Sequence, residues 1–96
     1  MPAAYLIGQI EVKDPVKYEE YRKQVPATIA KFGGEYLVRG GTIVKLEGQP
    51  PPGRTVVLRF SSLEQAKAWY DSPDYSGPKS IRQSASIGNV ILVEGV

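Results

Sequence analysis

Arg39 stands in the stretch EYLVRGG (Glu35 to Gly41), a full charge among apolar neighbours with two glycines directly behind it. A guanidinium in such surroundings needs a carboxylate, carbonyl oxygens or an anionic ligand to offset its desolvation. Two readings follow. Pairing with Glu11, Glu35 or Glu47 is the commoner fate of a buried arginine. Binding of an anionic or enolate oxygen is the functional alternative. Gly40 and Gly41 suit a β-bulge, which also brings backbone N–H groups close to a bound molecule. A second group lies in WYDSPDYSGPKSIRQ (Trp69 to Gln83), with Tyr70, Ser72, Asp74 and Tyr75 followed by Lys79 and Arg82. Ser72-Pro73-Asp74 reads most simply as a turn in which Ser72 caps the next segment and Tyr75 folds back. In the functional reading Ser72, Tyr75 and Arg82 line a pocket mouth between helix and sheet, where a phenol and a guanidinium orient a small oxygenated ligand.

The composition narrows the chemistry. The chain has no histidine and no cysteine, so it can build neither an imidazole or thiolate zinc site nor a Ser-His-Asp or cysteine hydrolase. Acid–base work falls to a carboxylate, a tyrosine or a lysine, and no metal or bound cofactor is expected. A formal charge of +2 with scattered basic residues offers no stripe for a phosphate backbone, which argues against nucleic acid. No apolar run approaches the roughly 18 residues of a membrane span, and no signal-peptide pattern opens the chain. The expected location is the cytoplasm. The glycines of GGEYLVRGG do not join a strand to a helix and no P-loop lysine follows, so no nucleotide fingerprint is present.

The elements that must position these residues follow from periodicity. At 96 residues, 42% hydrophobic and 23% charged, the chain suits a single globular domain over residues 1–96. AAYLIGQIEV (Ala3 to Val12) alternates as a strand. Asp14 and Pro15 then cap and open a helix whose stripe is Tyr18, Tyr21, Val25, Ile29 and Phe32, ended by Gly33-Gly34. Tyr18, Tyr21 and the later Trp69 read as core. Pro26 predicts a kink or short break between Gln24 and Ala27. EYLVRGG is the second strand and TIVKLEG an irregular extension of it. Alternation puts Arg39 with Glu35 and Leu37, opposite Tyr36 and Val38, so Arg39 faces away from the helices. QPPPG turns the chain into RTVVLRF, a third strand on which Arg59 is expected in an interfacial ion pair. Ser61 to Glu64 reads as a capping box for a helix through Ala66, Trp69 and Tyr70. DSPDYSGP breaks that helix, KSIRQSAS forms a short further one, and NVILVEGV is the last strand.

The order β-α-β-β-α-β predicts an α+β, ferredoxin-like sandwich: an antiparallel sheet with helices on one face. The uncovered face carries Tyr5, Ile7, Leu37 and Val57, too apolar for water, and a second copy of the chain is expected to cover it.

KFGGEYLVRGG (Lys31 to Gly41), WYDSPDYSGPKSIRQ and the closing ILVEGV together resemble the domain-of-unknown-function 1330 family over nearly the whole chain. The resemblance implies the dimeric α/β-barrel form of the ferredoxin-like plan and no particular reaction. Relatives of that fold include cofactor-free monooxygenases, muconolactone-type isomerases, dehydratases and binding proteins. Gly77-Pro78 and Asp74 depart from the family's usual helix formers and Glu, which implies a later start for the local helix. Two functions are therefore expected as alternatives. One is a homodimeric, cofactor-independent enzyme for a small oxygenated or aromatic metabolite, with Arg39, Gly40, Ser72, Tyr75 and Arg82 at its site. The other is a non-catalytic binding or structural dimer in which the same residues are staples.

Overall fold

The computed structural model describes residues 2–96. Four strands and three helices follow the order β1 (Ala4–Val12), α1 (Pro15–Lys31), β2 (Glu35–Arg39), β3 (Arg54–Phe60), α2 (Leu63–Tyr70), α3 (Pro73–Ala85) and β4 (Ser86–Glu94). The strands form one sheet in the order β2-β3-β1-β4, with every neighbouring pair antiparallel. This is the expected ferredoxin-like arrangement. No helix among the described residues is long and apolar enough to cross a membrane.

Alternation along β1 and β3 decides which side is core. Ala4, Leu6 and Ile10 pair with Phe60, Leu58 and Arg54; Ala4, Leu6, Leu58 and Phe60 are buried with Val25 and Ile29 of α1 and Ala66 and Trp69 of α2, while Ile10 packs with Tyr18 and Ala85. The intervening residues face outward. Ile7 lies between Val57 and Ile91 in register, and with Val93 and Val38 it leaves a broad apolar surface on the open side of the sheet.

The first helix begins where Asp14 accepts a hydrogen bond from the Lys17 amide and Pro15 fills the first position. It closes in a Schellman arrangement, in which the Gly33 amide donates to Ala30 O and the Gly34 amide to Ile29 O. Gly33 has φ of 74°, a conformation that glycine adopts without a Cβ penalty. The helix runs unbroken through Pro26, where a break was predicted. The missing N–H leaves the carbonyl of Arg22 without its helical partner, and the Arg39 guanidinium donates to that oxygen at 3.1 Å.

Other boundaries depart from the sequence reading by small, explicable amounts. The cap of α2 is Ser62, which accepts from the Gln65 amide, one residue after the predicted box. Instead of starting after the Gly77-Pro78 pair, α3 begins at Pro73 and continues through it. Ser72 explains the early start: its hydroxyl accepts from the Tyr75 amide and donates to Trp69 O. TIVKLEG forms no regular element, and Ile43, Val44 and Leu46 are exposed.

The largest correction concerns β2. Tyr36 pairs with Leu58 but Val38 pairs with Val57, so two residues of β2 advance against one of β3. The bulge therefore falls at Leu37, ahead of the predicted Gly40-Gly41, and it reverses the alternation behind it. Val38 turns to the open face. Arg39, opposite Val56, turns to the helix side.

Candidate functional site

A narrow cleft enclosing about 40 Å³ opens between α1, α3 and the helix-facing side of the sheet. Its floor is formed by Leu6, Gly8, Val56 and Leu58, and α1 supplies Tyr18, Tyr21, Arg22 and Val25 on one helical face. Their spacing of three and four residues stacks them along the helix. Gly8 keeps the floor low. A Cβ there would make ordinary contacts, 3.7 Å from Ile10 and 4.0 Å from Val90, so its absence leaves space and not strain.

Tyr75, Arg82 and Tyr21 form a hydrogen-bonded chain in this cleft. Arg82 Nε donates to Tyr75 Oη at 3.3 Å, and the hydroxyls of Tyr75 and Tyr21 lie 3.0 Å apart. Tyr75 is locked by its ring, which stacks on Trp69 with centroids 4.0 Å apart. Trp69 is in turn held by its indole N–H, which donates to Thr28 Oγ1. Burial pushes the Tyr21 hydroxyl far above the usual phenol range, and the neighbouring Tyr75 adds to the effect. Tyr18 and Tyr36 are also raised, chiefly by burial. These phenols are protonated at neutral pH, so each hydroxyl has a proton to donate. Arg82 is only 8% exposed. Burial opposes its charge, but the phenol oxygens of Tyr75 and Tyr21 outweigh that and hold it above the usual arginine range.

Arg39 reaches the same cleft from β2. Its guanidinium lies 4.5 Å from the Tyr36 ring centroid and donates to the Arg22 carbonyl. The glutamates expected as its partners are engaged elsewhere or absent: Glu35 pairs with Arg59 and Glu11 with Lys13, while Glu47 forms no salt bridge among the described residues. The Arg59–Glu35 pair lies on the open face, at 3.4 Å.

Two further arginines complete the charge of the cleft. Arg54 begins β3 opposite Ile10, and its guanidinium lies 5.7 Å from the ring centroid of Tyr18. Arg22 pairs with Glu19 at 3.2 Å through Nη1. Nε of Arg22 and Nε of Arg54 are both buried without an acceptor, and such a donor costs about 1–3 kcal/mol while unpaired. Four arginines thus line the cleft, and no carboxylate does.

Of the five residues singled out in the sequence, Arg39, Tyr75 and Arg82 line the cleft and Ser72 and Gly40 do not. The Ser72 hydroxyl is used by the backbone on both sides. Gly40, with φ of 70°, donates its amide to Thr55 O and lies against the Arg54 guanidinium, where a Cβ would come within 2.5 Å of Nη2. Tyr21, Arg22 and Arg54 were not among those candidates. Each carried a signal: Arg54 shares the parity of Val56, Leu58 and Phe60, and Arg22 falls four residues after Tyr18 and three before Val25.

With this geometry in place, the relationships of the chain can be stated. It belongs to the family described as Domain of unknown function (DUF1330), which it matches over residues 3–96. Among solved structures it is similar to RPA0582, a protein of unknown function from Rhodopseudomonas palustris. The TM-score is 0.80 at 13% identity, covering 99% of this chain and 83% of that one. It is also similar to SnoaB, a cofactor-independent oxygenase from Streptomyces nogalater, with a TM-score of 0.63 at 12% identity over 97% of this chain and 92% of that one. At these identities the likeness is one of fold. No curated protein matches the chain.

Proposed function

We propose that the protein is a cytoplasmic, single-domain homodimer that binds a small oxygenated or aromatic metabolite in this cleft and acts on it without a metal or bound redox cofactor. The observation that carries the reading is the Arg82–Tyr75–Tyr21 chain in an otherwise largely apolar cleft. Two phenols own two hydroxyl hydrogens, and their mutual bond uses one. The other is left for an oxygen of the ligand, whichever phenol donates. Backed by Arg82, that donor stabilises negative charge developing on a carbonyl or enol oxygen, while the nearby guanidinium of Arg39 adds a favourable field. Tyr21, whose phenol burial holds protonated, suits this electrophilic role and not that of a base. The fold's occurrence in a cofactor-independent oxygenase is compatible with such chemistry, and fold alone fixes neither substrate nor step.

The alternative, a non-catalytic dimer stapled by the same residues, is favoured by one observation: Ser72 spends its hydroxyl wholly on capping and turn bonds. Native mass spectrometry tests whether the cleft holds a ligand at all, and so separates a binding cleft from a purely structural one. The freshly purified protein is expected to carry a small non-covalent mass, and Gly8→Val, which raises the cleft floor within a strand that tolerates a β-branched residue, is expected to lose it. A folded Gly8→Val variant that retains the same mass would remove the cleft from consideration.

A further inference from the structure

We infer that Arg22, Arg39 and Arg54 form an anion subsite in the cleft that takes the carboxylate of a small aromatic or enolic acid. The inference rests on the cleft being a ligand site, and it names the class of ligand. Three observations lead there. Arg39 and Arg54 form no salt bridge among the described residues, and Arg22 turns only Nη1 to Glu19. The cleft contains no carboxylate to neutralise them. The Nε–H groups of Arg22 and Arg54 are buried with no acceptor, although both residues line the same cavity.

An Nε–H is one arm of the fork with which a guanidinium grips a planar carboxylate. Two such arms lack a partner, and a carboxylate brings two oxygens in one plane. The remaining positions are already fixed: Arg39 donates to the carbonyl freed by Pro26 and lies over Tyr36, while Gly40 lets Arg54 lie flat against the backbone. Tyr18, Tyr36, Val56 and Leu58 supply the apolar walls for an aromatic body. A bare inorganic anion would leave those walls empty. A ligand carrying both parts places its carboxylate on the arginines and presents a second oxygen to the Tyr21–Tyr75 pair.

The test uses the full chain labelled with ¹⁵N, with amide and arginine Nε–H signals followed by NMR during titration with benzoate, benzamide and inorganic phosphate. Benzoate is expected to shift the Nε–H signals of Arg22 and Arg54 and to bind about tenfold or more tightly than benzamide, the fold-change of a charge-assisted hydrogen bond. Arg54→Gln should erase most of that preference, and Arg59→Gln, on the open face, should leave it intact. Should Arg54→Gln not fold, Arg22→Gln serves in its place. If benzamide shifts the cleft signals with the affinity of benzoate, the anion subsite is wrong and the cleft remains a ligand site. Phosphate binding as tightly as benzoate overturns the carboxylate assignment. If no probe moves any cleft signal, the subsite and the ligand site fall together.

Discussion

Tyr21 shows how strongly one side chain can depend on its neighbours. Its hydroxyl is buried beside that of Tyr75, and ionising Tyr21 would place an anion in a poorly solvated site. The consequence for stability has a definite sign. Below about pH 10, the ordinary phenol pKa, neither folded nor unfolded chain loses these protons, and stability is independent of them. Above it the unfolded chain ionises first, because Tyr18, Tyr21 and Tyr36 are raised in the folded state, so stability falls as pH rises. Alkaline titration followed by phenolate absorbance and circular dichroism should show these three among the six tyrosines ionising only as the fold is lost. Early, independent titration of all six would contradict their burial. Arg39 marks where sequence reasoning stopped at this scale. Its residue type pointed to a site, but strict alternation assigned the wrong face. The extra residue at Leu37 is set by pairing with β3 and leaves no mark in the composition of EYLVR.

Among the elements, α3 depends on its N-cap. Ser72 accepts from the Tyr75 amide and donates to Trp69 O, so it ends α2 and starts α3 with one hydroxyl. Ser72→Ala should cost roughly 0.5–2 kcal/mol in denaturant unfolding, the range for a lost N-cap, and should loosen Tyr75 above it. A loss within a few tenths of a kcal/mol would mean that the turn is held by Pro73 and packing alone. The order of elements and both ends of α1 were legible because alternation, Asp14-Pro15 and Gly33-Gly34 are local signals. The passage of α3 through Gly77-Pro78 was not. Pro78 is buried, and its packing overrides a helix propensity that local reasoning counts at full cost. Pro26 was expected to kink or break α1, which instead runs through it; only the fold shows that Arg39 takes up the freed carbonyl.

At the scale of the molecule, the two faces of the sheet have different fates. The helix side encloses the core and the cleft, while the open side leaves Ile91 at 53% and Leu37 at 50% exposure, with Val38 and Val93 beside them. An exposed apolar face of this kind suits the proposed homodimer. Ile91→Glu places a charge in the row Val57–Ile7–Ile91 and should halve the mass seen by light scattering without unfolding the chain. A wild-type monomer, or an Ile91→Glu dimer, would exclude assembly through this face. The bulge joins the two faces through one peptide bond. Val38 belongs to the open surface and Arg39 to the cleft, so two neighbouring residues of one short strand face the proposed dimer contact and the proposed ligand. A ligand that changed dimer affinity through this link would have its own affinity changed by dimerisation by the same factor.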